Sequence, residues 1–332
     1  MNRKLAASMV VTLGLAVGFA VQVYSDPITP DNVRTLTEEV RINVGFFPET
    51  LVFLSDTRIA VASRTRCVIW DLPTGGQGEL LDVSEIGRVL DLSADRSALA
   101  VCTPSGAVSL WSTDPFEQRS VVCALRATPY PHAAFSPDGR VLAVTNRHND
   151  VELWDLQSAS QAANLTGHRT NLFDVAFSPD GLTLAVAGGV SGGATDDDSC
   201  IKVWDAATGA LLSRLPTADI GDNHAIAFAR NGARLISAGN FRVVVWDTAS
   251  WARVYETGPS FACTYGMAVS SDEQLLALAM EAGRICVMEL ATMRTLRCLT
   301  GPGDGLDAAF SPAGTRLAAS FADGTVIVWT AP

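Results

Sequence analysis

After residue 35, short apolar runs alternate with polar turn residues, and the alternation itself repeats. One unit shows the pattern. Phe173-Asp174-Val175-Ala176-Phe177 is β-rich and ends at Ser178-Pro179-Asp180-Gly181. Pro presets φ in such a turn, Asp bonds neighbouring backbone and Gly takes the left-handed position, which predicts a tight hairpin. Thr183-Leu184-Ala185-Val186-Ala187 follows as a second strand and Ile201-Lys202-Val203-Trp204-Asp205 as a third. Ala207-Thr208-Gly209 then turns into a fourth, Leu211 to Leu215. The hairpin turn recurs as Ser136-Pro137-Asp138-Gly139 and Ser311-Pro312-Ala313-Gly314, and in weaker form as Ser93-Ala94-Asp95-Arg96, Ala229-Arg230-Asn231-Gly232 and Ser270-Ser271-Asp272-Glu273. Second strands recur too, as in Leu142-Ala143-Val144 and Leu276-Ala277-Leu278, with small residues that suit sheets stacked face to face.

Tryptophan sets the register of the repeat. Trp70, Trp111, Trp154, Trp204, Trp246 and Trp329 each close a third strand, and Met288 fills the slot before the last. The longest gap, between Trp154 and Trp204, contains a Gly- and Asp-rich insertion, Gly188 to Ser199. Seven units of roughly 40–45 residues match the repeat length of four-stranded propeller blades. Trp70-Asp71, Trp154-Asp155, Trp204-Asp205 and Trp246-Asp247 carry the Trp-Asp dipeptide, and Gly167-His168 is a single Gly-His pair. On these residues the chain resembles the WD-repeat (WD40) family over about residues 36–332. The resemblance implies an all-β fold: a seven-bladed WD40-type β-propeller of four-stranded antiparallel blades. It also implies structural roles for Trp70, Trp111, Trp154, Trp204, Trp246 and Trp329. His168, Asp198 and Asp323 occupy positions of the family's hydrogen-bonded tetrad of His, Asp, Ser/Thr and Trp, which no repeat here keeps in full.

The seventh unit ends at Pro332 with no residues for a fourth strand, while Glu39-Val40-Arg41-Ile42-Asn43-Val44 alternates with period two at the other end. That segment is expected to supply the missing strand and close the ring, which hides a reactive edge. Residues 26–35 then read as a linker. Before them, Arg3-Lys4 precedes an uncharged run from Leu5 to Val23. Its core has the length of a signal-peptide h-region, whereas the whole run is long enough for a transmembrane helix. A cleaved export signal and an uncleaved anchor both stay open for residues 1–25. Either places the propeller outside the cytoplasm.

Composition narrows function by exclusion. With 35 acidic against 24 basic residues and a net charge of −11, the chain lacks the basic surface of a nucleic-acid binder. The seven cysteines form no Cys-x-x-Cys pair and sit in apolar strand patterns, so they are expected as free buried thiols and no disulfide framework is indicated. Gly189-Val190-Ser191-Gly192-Gly193 matches a nucleophile elbow in letters only, because a strand and not a helix follows. Asp196-Asp197-Asp198 lacks the alternating ligands of a calcium loop. His132, His148, His168 and His224 are spread along the repeats without ligand spacing. No catalytic residue, metal site or cofactor is expected.

What the resemblance implies instead is a scaffold for a protein or peptide partner. Fold alone does not specify a function, so a propeller hydrolase or lyase, or a small-ligand or metal sensor on the funnel face, is the alternative. In WD-repeat propellers the connections entering the innermost strands share one face with those between second and third strands. On this chain that face should carry Arg126, Tyr130, Arg169, Phe173, Asp222, His224, Tyr265 and Asp304, together with the insertion. Membrane contact is expected only through the N-terminal segment.

Overall fold

The computed structural model describes residues 26–72, 80–83, 88–103, 106–124, 131–189, 200–218, 221–240, 242–258 and 263–332. Its strands form seven four-stranded antiparallel sheets, and in six of them the strand order follows the sequence from the innermost strand outward. These blades cover residues 50–83, 89–124, 133–165, 171–216, 223–256 and 264–300, numbered 1 to 6 here. Blade 7 covers 305–330 and takes its outermost strand, Thr37–Asn43, from the N-terminal side. In blade 4 the strands run Asn171–Phe177, Thr183–Gly189, Cys200–Asp205 and Leu211–Pro216, within two residues of the expected limits at each end.

The turns form for the reasons their residues suggest. Ser178 Oγ donates to Asp180 Oδ1 at 2.5 Å and accepts the Thr183 N–H, while Gly181 sits at φ 73°. Ser136, Asp138 and Gly139 reproduce the arrangement. Where the glycine is replaced, Arg96 and Glu273 hold φ 59°, a conformation that costs an L-residue roughly 1–2 kcal/mol. Both side chains reach an adjacent blade: Arg96 donates to the Phe53 carbonyl and Glu273 Oε1 accepts the Asn231 N–H. The Asp of three Trp-Asp pairs, Asp155, Asp205 and Asp247, organises the outer turn, as Asp205 Oδ1 does for the Thr208 N–H and hydroxyl.

Second strands lie at the centre of the packing: Leu184, Ala185, Val186 and Ala187 are fully buried. Every Trp slot faces the preceding blade. Trp246 packs with Ile201 and Val203 of blade 4, Trp204 with Leu153 of blade 3, and Trp329 with Leu275 and Val287 of blade 6. Met288 does the same against blade 5. Each interface is therefore keyed by one large side chain seated between two sheets, and an aromatic of this size buries roughly 150–250 Å².

Ring closure is a ladder between Thr37–Asn43 and Thr325–Thr330, with Ile42 opposite Val326. Arg316 binds the Glu39 carboxylate through Nε and Nη2, both at 2.8 Å. Residues 26–35, a linker by sequence, are docked instead. Ile28 and Val33 are buried against blades 6 and 7, and Arg297 Nη1 gathers the carbonyls of Arg34 and Leu36 at 2.7 and 2.9 Å.

The cysteines need one correction. Cys67, Cys102, Cys123 and Cys200 are buried as expected, and Cys263 is half-buried. Cys286 and Cys298, however, stand opposite each other on the third and outermost strands of blade 6 and form a disulfide. A bulge between Val287 and Met288 sets that register, which a spacing of 12 residues does not reveal.

Candidate docking funnel

Innermost strands do not run straight to the mouth of the channel. In blades 4 to 7 one residue bulges out of the ladder: Phe173, His224, Tyr265 and Leu306. A bulge re-aims its side chain, here toward the central axis. Glu49, Arg88 and His132, ahead of the innermost strands of blades 1 to 3, complete a ring of one side chain per blade. The ring surrounds a cavity of about 550 Å³, with Phe47 and Asp222 on its walls and Asn146, Arg147 and Asn149 from the turn between second and third strands of blade 3. A narrower channel of about 140 Å³ continues beneath it, lined by Glu49, Thr50, Arg88, Asp174 and Asp307 among others.

The ring has two halves. Blades 4 to 6 provide an aromatic arc, with Phe173 and His224 edge to face at 5.3 Å between centroids and His224 and Tyr265 at 5.8 Å. His224 Nε2 shares a 2.6 Å hydrogen bond with Asn240 Oδ1, which fixes the ring. Blades 1 to 3 provide the polar half. Glu49 Oε1 accepts from Arg64 Nε at 2.9 Å. Enclosure, followed by the nearby Arg88 and His224, holds His132 well below the usual imidazole range, so it stays neutral. Tyr265 is pushed up to about 12, mainly by desolvation and then by Cys263.

Below the mouth, aspartates tie blades together. Asp174 accepts the N–H of Val175 and of Ile226 in blade 5, both at 2.8 Å. Asp307 accepts the N–H of Ala308 and of Leu51 in blade 1, both at 2.9 Å, and Asp91 does the same for Leu92 and Phe135. Desolvation pushes Asp174 up to about 7 and Asp91 and Asp307 to about 6, against the opposing pull of those N–H groups.

Of the residues expected on this face, Phe173, Asp222, His224 and Tyr265 line the one cavity. Arg169 is exposed on the connection into blade 4 and is not part of the wall, and Asp304 is held at the rim by the Ala282 N–H at 2.7 Å. Arg126, Tyr130, Asp198 and all but the first two residues of the insertion lie outside the described residues. Glu49, Arg88, His132 and Leu306 were not foreseen. A register signal existed: Arg88, Phe173, His224, Tyr265 and Leu306 each stand five positions before the turn residues Ser93, Ser178, Ala229, Ser270 and Ser311.

The structural positions are more varied than the family tetrad. His168 is buried, but among the described residues neither of its ring nitrogens nor Trp204 Nε1 finds a hydrogen-bond partner. Lys202, opposite Val186 on the third strand, donates to the Gly167 carbonyl. Three other indoles find partners: Trp111 uses Ser109 Oγ, Trp246 uses Ser237 Oγ and Trp154 uses Glu152 Oε2, whereas Trp70 Nε1 has none among the described residues. Asp323 caps the last hairpin through Thr325.

Comparison with known proteins agrees with this architecture. The family described as WD domain, G-beta repeat matches residues 159–205 and 293–330. Each match runs from the outermost strand of one blade to the third strand of the next, so the sequence repeat is staggered against the blade. An uncharacterized WD repeat-containing protein of Synechocystis sp. is 29% identical over 150 residues, which is 45% of this chain and 40% of that protein. Coronin-7 of Rattus norvegicus is 26% identical over 203 residues, 54% of this chain and 21% of its own length. The B-type cell cycle switch protein ccs52B of Medicago truncatula is 29% identical over 162 residues, 48% of this chain and 30% of its own. The chain thus spans two fifths or less of the length of these curated relatives. Seven four-stranded blades, a staggered repeat and Trp-Asp turns give the chain the fold and the repeat of the WD-repeat β-propellers.

Proposed function

We propose that this propeller is a non-catalytic scaffold that docks a protein or peptide partner on its funnel face, outside the cytoplasm. The observation that carries the reading is the cavity of about 550 Å³ ringed by one side chain from each blade. Two aromatics on it are open to solvent, Phe47 at 50% and Tyr265 at 38% exposure. Exposed aromatics around a pocket are typical binding anchors. The opposite face is built from short Ser-Pro-Asp-Gly turns whose polar groups already bond one another. An enzyme would need a convergent acid and base pair at the mouth, whereas Glu49 Oε1 is held by Arg64 and no hydrogen bond joins Glu49 to His132 among the described residues. The extracytoplasmic placement draws on Arg3-Lys4 and the uncharged run after it, and on the Cys286–Cys298 disulfide, a bond that persists in oxidising compartments.

The test is recovery of partners from the native membrane and extracytoplasmic fractions by the tagged chain and by a Phe47→Ala, Tyr265→Ala variant. Both side chains are exposed, so the variant should melt with the parent while binding weakens by at least about 2 kcal/mol. Undiminished recovery by a folded variant would remove the funnel face as the docking site.

A further inference from the structure

The polar half of the funnel holds three groups whose hydrogen bonding is incomplete, and together they describe a ligand. This inference rests on the scaffold reading above and names what the partner presents. Arg88 lines both the cavity and the channel beneath it. Among the described residues its guanidinium makes no hydrogen bond or ion pair, although Glu49, Asp307 and Asp174 attract it from a distance. Two of those carboxylates are fully committed elsewhere, and the third in part. Both oxygens of Asp174 and of Asp307 accept backbone N–H groups, and Glu49 Oε1 accepts from Arg64. A guanidinium presents a planar fork of donors that fits a carboxylate through two parallel bonds.

Thr50 Oγ1 and Glu49 Oε2 are buried and lack a hydrogen-bond partner among the described residues, and both residues line the channel beside Arg88. An unmet buried polar atom costs about 1–3 kcal/mol, so such atoms mark where a ligand or water belongs. The set comprises a charged fork donor, a hydroxyl donor and a carboxylate acceptor. Its complement is one carboxylate and one N–H, the two polar ends of the last residue of a polypeptide. Across the mouth, the rings of Phe173, His224 and Tyr265 offer an apolar wall for that residue's side chain. The cavity above the channel is about four times its volume, 550 against 140 Å³, and leaves room for the residues that precede the terminus.

We propose that the funnel takes the free C-terminal residue of a partner polypeptide, its carboxylate on Arg88 and the Thr50 hydroxyl, its N–H on Glu49 Oε2, and its side chain against the aromatic arc. A small carboxylic acid could use the same fork but has nothing to give Glu49.

Calorimetric titration of the full chain tests this with acetyl-Gly-Gly-Ala-Phe as free acid, the same peptide as C-terminal amide, and 3-phenylpropionate. The free acid should bind, the amide at least about tenfold more weakly, as expected for loss of charge-assisted bonds. Arg88→Gln should abolish the difference, and 3-phenylpropionate should bind more weakly than the peptide acid. If Arg88→Gln does not fold, Thr50→Val and the acid–amide comparison on the parent carry the test. Equal binding of acid and amide, tighter binding of 3-phenylpropionate, or no binding of the acid at millimolar concentration would each overturn the proposal. Partner recovery separates this from the docking reading. If a folded Arg88→Gln variant keeps its partners while Phe47→Ala, Tyr265→Ala loses them, the funnel docks a partner but not by its C-terminus.

Discussion

Asp174 is the residue whose environment is most at odds with its chemistry. It sits in the channel wall, bridges blades 4 and 5 through the Ile226 N–H, and is pushed up to about 7 by desolvation, with Arg88 pulling the other way and Asp91 adding to the rise. A folded-state value above the ordinary 3.8 means that the folded protein holds a proton the unfolded chain has released. The stability this group contributes is therefore full below about pH 4 and is lost as pH rises through 7. His132 and His168, held below their usual range, act in the opposite sense, so a pH scan of the parent alone would blur the effect. A comparison removes them. Over pH 5 to 8, Asp174→Asn should destabilise the protein most at the acid end, and the gap to the parent should narrow up to about pH 7, by at most about 1.4 kcal/mol per pH unit. Calorimetric melting of both proteins at pH 5 to 8 measures this. A gap that widens with pH would show that the carboxylate is stabilised, not strained, in the folded ring.

At the level of elements, closure by Thr37–Asn43 is the feature on which the ring depends. The strand covers the edge of Thr325–Thr330, buries Ile42, and is clamped through the Glu39–Arg316 pair. Deleting residues 36–45 should therefore lower the melting temperature of the whole ring by many degrees or cause aggregation, because blade 7 would keep a bare edge. A truncated protein melting within a degree or two of the parent would refute the closure. Strands were legible in the sequence because period-two runs, Ser-Pro-Asp-Gly turns and Trp slots agree at every level. The docking of 26–35 was not legible, since Ile28 and Val33 are isolated apolar residues whose partners lie about 270 positions away in blades 6 and 7. The disulfide was hidden by a bulge. At the site, Phe173, His224 and Tyr265 could be found because loop positions and aromatic type pointed there. Glu49, Arg88 and Thr50 escaped because nothing in their neighbours marks a residue as facing the axis; of the three, only Arg88 is marked by the register of the turn.

For the whole molecule, the pieces make one proposal: an exported or anchored WD-repeat ring whose funnel meets its partner outside the cytoplasm. The export half is tested by fractionating cells that express the full chain with a C-terminal tag. Processed or membrane-associated protein is expected, because Arg3-Lys4 and the uncharged run to Val23 have the layout of a targeting segment. Soluble cytosolic protein at its unprocessed mass would overturn that half and leave the docking half standing. The docking half has a direct test in hydrogen–deuterium exchange of the chain with and without a recovered partner. Protection should gather on residues 47–49, 145–149, 171–173, 222–224 and 265, the segments that surround the cavity. Protection confined to the turns of the opposite face, such as 136–139 and 178–181, or to the outermost strands, with the funnel segments unchanged, would contradict the account.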